Sequence, residues 1–133
     1  MLCLVFRKKE RDGKRMSTNT YITIDLNDDL IRIPRITLSA LEVPDYIQLL
    51  FHPESRRIAV KACAENDRYS VRVNKALLKT DNSFELHSKL LVNSIRQICP
   101  YLELGCAYRI KGKFYEKRKI VVYDLHDASK IKG

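Results

Sequence analysis

The chain is poor in the residues that break regular structure: 133 residues contain only four glycines and four prolines. With a hydrophobic fraction of 45%, that scarcity argues against disorder for most of the chain and for a packed fold. Cysteine is also sparse. Cys3, Cys63, Cys99 and Cys106 form no CxxC pair and are accompanied by three histidines, so neither a zinc site nor a disulfide framework is implied, and reduced thiols in a cytoplasmic protein are expected. No apolar run is long enough to span a bilayer, which excludes a membrane helix. There is no glycine-rich phosphate loop. His52, His87 and His126 stand isolated, and the Cys99 to Cys106 spacing fits no nucleophile motif; the expectation is a non-enzyme without metal or cofactor.

Charge is what the chain has in excess. Lys and Arg number 25 against 16 Asp and Glu, a formal net charge of +9, which calls for a polyanion, an anionic surface or an acidic protein as partner. Residues 1–15 hold six Lys/Arg and two acids, hence +4, leaving +5 from Met16 onward. Six mostly apolar residues precede that charge, the reverse of a secretory signal. The basic leader 1–15 is therefore read as upstream translation starting before Met16, as a disordered tail, or as part of the fold. At 15.5 kDa, residues 16–133 suit one domain able to bury roughly two thirds of its unfolded surface.

Along the chain, alternation over Tyr21–Ile24 and Leu30–Ile33 predicts two short strands, the second ended by Pro34. In "RITLSALEVPD", Thr37 or Ser39 is offered as a helix cap and Pro44–Asp45 closes the helical turn. "YIQLLFHPESRRIAVKAC", Tyr46 to Cys63, predicts a hairpin turning at His52–Ser55. "YSVRVNKALLKTDNS" passes from alternation to a helical turn, and its "TDNS" cluster marks the boundary between halves. "FELHS" predicts a strand; "KLLVNSIRQIC" predicts a helix with Leu90, Leu91, Ile95 and Ile98 on one face, ended by Pro100. "HDASKIKG" reads as a polar tail.

Between those last two stretches, "YRIKGKFYEKRKIVVYDL", Tyr108 to Leu125, aligns without a gap on the first hairpin 62 residues earlier. It matches Tyr46, Glu54, Arg56, Ile58 and Val60 with Tyr108, Glu116, Arg118, Ile120 and Val122. One discord accompanies the five identities: Ile47, Leu49 and Phe51 fall on Arg109, Lys111 and Lys113, as though the strand had exchanged faces. Two related halves, residues 30–63 and 84–125, are expected to share one core.

The order strand, short helix "ITLSALEVPDY", then hairpin with "PESRRIAVK" resembles the swapped-hairpin domain of AbrB-like and SpoVT-like bacterial transition-state regulators and antitoxins. The likeness covers Leu30 to Cys63 and, more loosely, Phe84 to Leu125; Pro44–Asp45 stands where that family usually has a Gly-Asp turn, and the helix is shorter. The resemblance implies an α+β, β-rich fold in which two strand–helix–hairpin units pack as one swapped-hairpin-like pseudo-dimer, monomeric or as a homodimer. It also implies that arginines near the helix and hairpins face DNA.

The densest charge, Arg109, Lys111, Lys113, Lys117, Arg118 and Lys119, sets six cations against Glu116 in eleven positions. Arg109, Lys111 and Lys113 alternate with Ile110, Gly112 and Phe114, so one strand face would be a row of cations suited to successive phosphates. Arg56 and Arg57 beside the first turn, and Arg32 and Arg35 flanking Ile33–Pro34, complete the candidate nucleic-acid set. The expected function is a small bacterial or mobile-element DNA-binding protein acting in transcription regulation, with RNA a variant. The alternative is a protein-interaction module or inhibitor whose basic face binds an acidic or nucleic-acid-handling partner.

Overall fold

The computed structural model describes residues 20–76, 78 and 83–132. The leader 1–15, Met16 and most of the "TDNS" boundary lie outside these residues. Among them, nine antiparallel strands form a curled, half-barrel sheet with two helices. The elements run β1 Tyr21–Asp25, β2 Leu30–Pro34, α1 Arg35–Ala40, β3 Tyr46–His52, β4 Arg57–Cys63, β5 Val71–Arg72, β6 Ser83–His87, α2 Lys89–Ile98, β7 Ala107–Tyr115, β8 Ile120–Asp124 and β9 Ser129–Lys132. The sheet order is β5-β3-β4-β8-β7-β1-β2-β6, with β9 on β7.

Local chemistry sets the turns. Between β1 and β2, the Asp25 carboxylate accepts from the Asn27 and Asp28 N–H groups at 2.8 and 2.9 Å, an Asx turn that satisfies a buried acid. Asp29 supplies the left-handed step at φ 53°. In the first hairpin the His52 ring meets the Ser55 hydroxyl at 2.8 Å, and Arg56 N–H donates to the Pro53 carbonyl at φ 54°. The second hairpin closes in the same way: Lys119 N–H donates to the Glu116 carbonyl at φ 51°.

Neither Thr37 nor Ser39 caps α1. Pro34 occupies the N-cap with no side-chain bond, and the Thr37 hydroxyl donates to the Tyr21 carbonyl at 3.0 Å, tying the helix to β1. Six residues are too few to hold a helix by propensity; the fully buried Leu38 anchors this one. The longer α2 has a side-chain cap, Ser88 accepting from Leu91 N–H at 3.2 Å, and buries Val92 and Ile95. Leu90 is 79% exposed, off the face expected for it, because it lies about 100° round the helix from Leu91. The expected polar tail contains β9, whose Lys130 pairs with Tyr108 of β7.

Strand pairings repeatedly join one half of the chain to the other. β2 pairs β6 with Arg32 opposite Glu85, β4 pairs β8 with Ala59 opposite Val122, and β1 pairs β7 with Ile22 opposite Ile110. β5 instead pairs β3 on the same side of the "TDNS" boundary, with Val71 opposite Ile47. One core gathers inward residues from all of them, including Ile22, Ile31, Ile47, Ile58, Val60, Ile95, Ile110, Val121 and Tyr123. Each fully buried isoleucine there contributes about 2–3 kcal/mol of apolar burial.

The discord in the hairpin alignment resolves at this level. The left-handed residues closing the two turns, Arg56 and Lys119, are 63 residues apart, not 62. At that offset Ile47, Phe51, Ile58 and Val60 correspond to Ile110, Phe114, Val121 and Tyr123, all of which belong to the core or pack against it. Arg56 therefore corresponds to Lys119, and the expected equivalence of Arg56 with Arg118 is corrected.

Candidate functional site

The ten candidate cations fall into three places. Arg32 on β2, Arg35 at the start of α1 and Arg109 on β7, up to 77 residues apart in sequence, line one open cleft of about 590 Å³ with Tyr21, Thr23, Pro34, Ile36, Ser39, Ser83 and Ile131. The sheet register brings two of them there: Thr23 of β1 lies opposite Arg109 on one side and Arg32 on the other. Each guanidinium is held. Arg32 Nε donates to Glu85 Oε2 at 3.0 Å, Arg35 donates to the Leu78 carbonyl, and Arg109 lies over the Tyr21 ring, 4.3 Å from its centroid.

From that cleft a row continues along the outward side of β7. Arg109, Lys111 and Lys113 are exposed, while Ile110 is buried and Phe114 packs against the core, so the alternation expected for this strand puts three cations over about 14 Å. Beyond it, Lys117 and Arg118 are exposed at the turn. Lys119 bridges to Glu42 at 2.7 Å; this hydrogen bond and charge hold the Glu42 carboxyl below its ordinary value and raise Lys119.

Arg56 and Arg57 occupy a third place. Because β4 and β8 are antiparallel, with Arg57 opposite Asp124 and Lys61 opposite Ile120, the two hairpin turns sit at opposite ends of the sheet. Arg56 Nη1 lies 3.5 Å from His126 Nε2, while His126 Nδ1 lies 2.8 Å from Asp124 Oδ1. Burial alone would raise the Asp124 carboxyl; the His126 backbone N–H and ring, with Arg57 nearby, outweigh it and hold Asp124 below its ordinary value.

A second open cleft is lined by Asp45, Tyr46, Arg72, Val73, Asn74, Lys75 and Ala76. Its central strand pair, Arg72 opposite Tyr46, corresponds to Thr23 opposite Arg109 when Val71–Ile47 is laid on Ile22–Ile110. Here Lys75 is bridged to Asp45 at 2.7 Å. Cys99 and Cys106 are buried and Cys63 half-buried. No group of three or more His, Cys, Asp or Glu side chains that could hold a metal occurs among the described residues, and none of their helices is long and apolar enough to cross a membrane.

Sequence reasoning singled out Arg32, Arg35 and Arg109 separately but could not place them together; it read Ser39 only as a helix cap, and it passed over Ser83 and Ile131, which carry no signal until β6 and β9 are paired. Comparison with family models, curated proteins and solved structures found no match for this chain.

Proposed function

We propose that this protein is a small DNA-binding regulator of the bacterial or mobile-element kind, built as a swapped-hairpin-like pseudo-dimer. The pairings β2·β6 and β4·β8 support the pseudo-dimer, since each joins a strand of one strand–helix–hairpin unit to a strand of the other, and β1, ahead of the first unit, pairs with β7 of the second. The observation that carries the function is the convergence of Arg32, Arg35 and Arg109 in a cleft continuous with Lys111 and Lys113 on β7. Five cations on one stretch of surface give a polyanion several simultaneous contacts, and releasing its counterions drives binding.

Fluorescence anisotropy of a labelled duplex across a salt series tests this. Five neutralised phosphates predict log affinity falling against log salt with a slope of about −4.5. Replacing Arg109, Lys111 and Lys113 with alanine together should reduce that slope by about three. A salt-independent response, or a slope unchanged in the triple variant, refutes this interface and favours an acidic protein partner. Deleting residues 1–15 should leave the slope of the β7 row in place, and a structured RNA in parallel separates DNA from RNA binding.

A further inference from the structure

We propose that the Arg32–Arg35–Arg109 cleft is a receptor for a small phosphate monoester, one per chain, and that the related cleft at Arg72 has lost this capacity. This goes beyond the duplex interface and does not rest on it. The open cleft is lined by three arginines from three different elements: Arg32 and Arg109 flank Thr23 on one face of the sheet and Arg35 comes from α1 beside them, so a small anion seated there meets guanidinium groups from more than one element. Glu85 offsets one of the three cations through its ion pair with Arg32, and the remaining positive charge faces a space that no carboxylate lines, which favours an anion there.

Each arginine is positioned by a contact that leaves donors over. A guanidinium carries five N–H bonds; Arg32 spends its Nε on Glu85 and Arg35 one terminal nitrogen on Leu78. The contact of Arg109 with Tyr21 is to a ring face and engages no oxygen acceptor, so the guanidinium keeps N–H donors for an anion. The Ser39 and Ser83 hydroxyls add neutral donors, and no carboxylate lines the cleft. Glu85, the nearby acid, is committed to Arg32 at 3.0 Å, where it fixes that side chain. The remaining wall is apolar: Pro34 together with Ile36 and Ile131, which are 42% and 46% exposed. Such a wall suits the sugar or base of a mononucleotide better than a bare ion, as small-molecule sites pair apolar lining with a few convergent polar groups.

The second cleft fixes the stoichiometry. Where the first has Arg109 opposite Thr23, the second has Tyr46 opposite Arg72, and Glu85 stands opposite Arg32 at the centre of the β2·β6 pair. Its Lys75 is neutralised by Asp45. The second cleft is thus lined by two cations, Arg72 and Lys75, and by the Asp45 carboxylate, whereas the first is lined by three arginines and no carboxylate, so a monoester dianion is favoured at the first cleft only.

Isothermal titration calorimetry of the full chain with AMP and with inorganic phosphate tests the proposal. The expected result is one AMP per chain, with inorganic phosphate competing more weakly. Arg109→Ala should weaken AMP by about tenfold or more, as expected for losing a charge-assisted contact, while Arg72→Ala changes it less than about twofold. Should Arg109→Ala compromise folding, Ile131→Glu, which sets a carboxylate at the exposed rim, must also weaken AMP. Absence of binding by both probes at millimolar concentration, two AMP per chain, or equal losses from Arg72→Ala and Arg109→Ala would overturn it. The Lys111→Ala/Lys113→Ala double variant separates the two interfaces: duplex binding should weaken and AMP binding persist, and loss of both together would also overturn the small-ligand assignment.

Discussion

Replacing Gly112 with alanine tests how β7 serves two sheet regions at once. Gly112 lies where β7 changes neighbours: residues up to Lys111 pair with β1, and from Gly112 onward they pair with β8. Its Cα faces inward, and a Cβ there would sit 2.5 Å from Tyr123 Cε2, 2.6 Å from the Thr20 carbonyl oxygen and 2.6 Å from Val121 Cγ1. None of the three can yield cheaply. Tyr123 and Val121 are fully buried, and the Thr20 carbonyl accepts the Gly112 N–H while the Thr20 hydroxyl donates back to the Gly112 carbonyl. Contacts below 3.0 Å on three sides at once are overpacking, and the expected cost is about 2–3 kcal/mol. For a domain of this size that lowers Tm by roughly 6–12 °C. Thermal melts and urea titrations followed by circular dichroism measure it. Gly105→Ala is the comparison: nothing lies within 4 Å of its Cβ position, but its φ is +83°, so only the left-handed backbone penalty of about 1–2 kcal/mol applies. If Gly112→Ala is stable to within about 0.5 kcal/mol of the parent, the inward placement of residue 112 is wrong, and with it the outward placement of Lys111 and Lys113.

Acid should destabilise the protein below about pH 4, the ordinary carboxylate range. Glu42, Asp45 and Glu103, each hydrogen-bonded to a lysine, and Asp124 are held below their ordinary values; a folded-state pKa below the unfolded one stabilises above that range, and the gain is lost as pH falls through the folded value. Asp124→Asn should flatten part of the Tm decline between about pH 5 and 3, and a profile superimposable on the parent's would refute the Asp124–His126 contribution. Severing the chain between residues 78 and 83 should leave both fragments unfolded alone and folded when mixed, because β2·β6, β4·β8 and β1·β7 all cross the cut. A cooperative melt from either fragment by itself would show that the crossed pairings are dispensable.

What the sequence made legible is what depends on neighbours along the chain. Alternation over Tyr21–Ile24 and Leu30–Ile33, the turn chemistry at Pro53–Ser55 and the spacing of Leu91, Ile95 and Ile98 located β1, β2, the first hairpin and α2. The alternating cations of β7 likewise announced an outward row. Features fixed by distant partners were invisible. β9 is "SKIK", too short and polar to announce a strand, and it forms because β7 offers an unpaired backbone edge at Ala107–Arg109. The cleft needed Arg109 and Arg32 to face the same way on either side of Thr23, a register set by burying Ile22, Ile24, Ile31 and Ile33 together and not by the arginines themselves.

The hairpin repeat shows how identity can mislead where packing does not. At an offset of 62 the identical pairs Ile58/Ile120 and Val60/Val122 join inward residues of the main core to residues of a separate small cluster, Ala59, Ile120 and Val122, on the other face of the sheet. At 63, fewer letters agree, yet each inward residue meets an inward residue, and the central pair of β4·β8, Ala59 with Val122, is itself 63 apart. Side chains alternate with a period of two, so an odd error in offset exchanges every face while leaving the apolar composition unchanged. The consequence reaches the candidate site. Arg118 corresponds to Ser55 and carries no shared role with Arg56; Arg56 and Lys119 are the matched pair, each closing its turn in the left-handed region. Each reaches a polar partner from a connecting segment, His126 for Arg56 and Glu42 for Lys119. Both matched cations thus have a polar partner, and the proposed polyanion interface accordingly centres on the β7 row and the arginine cleft rather than on these two turn residues.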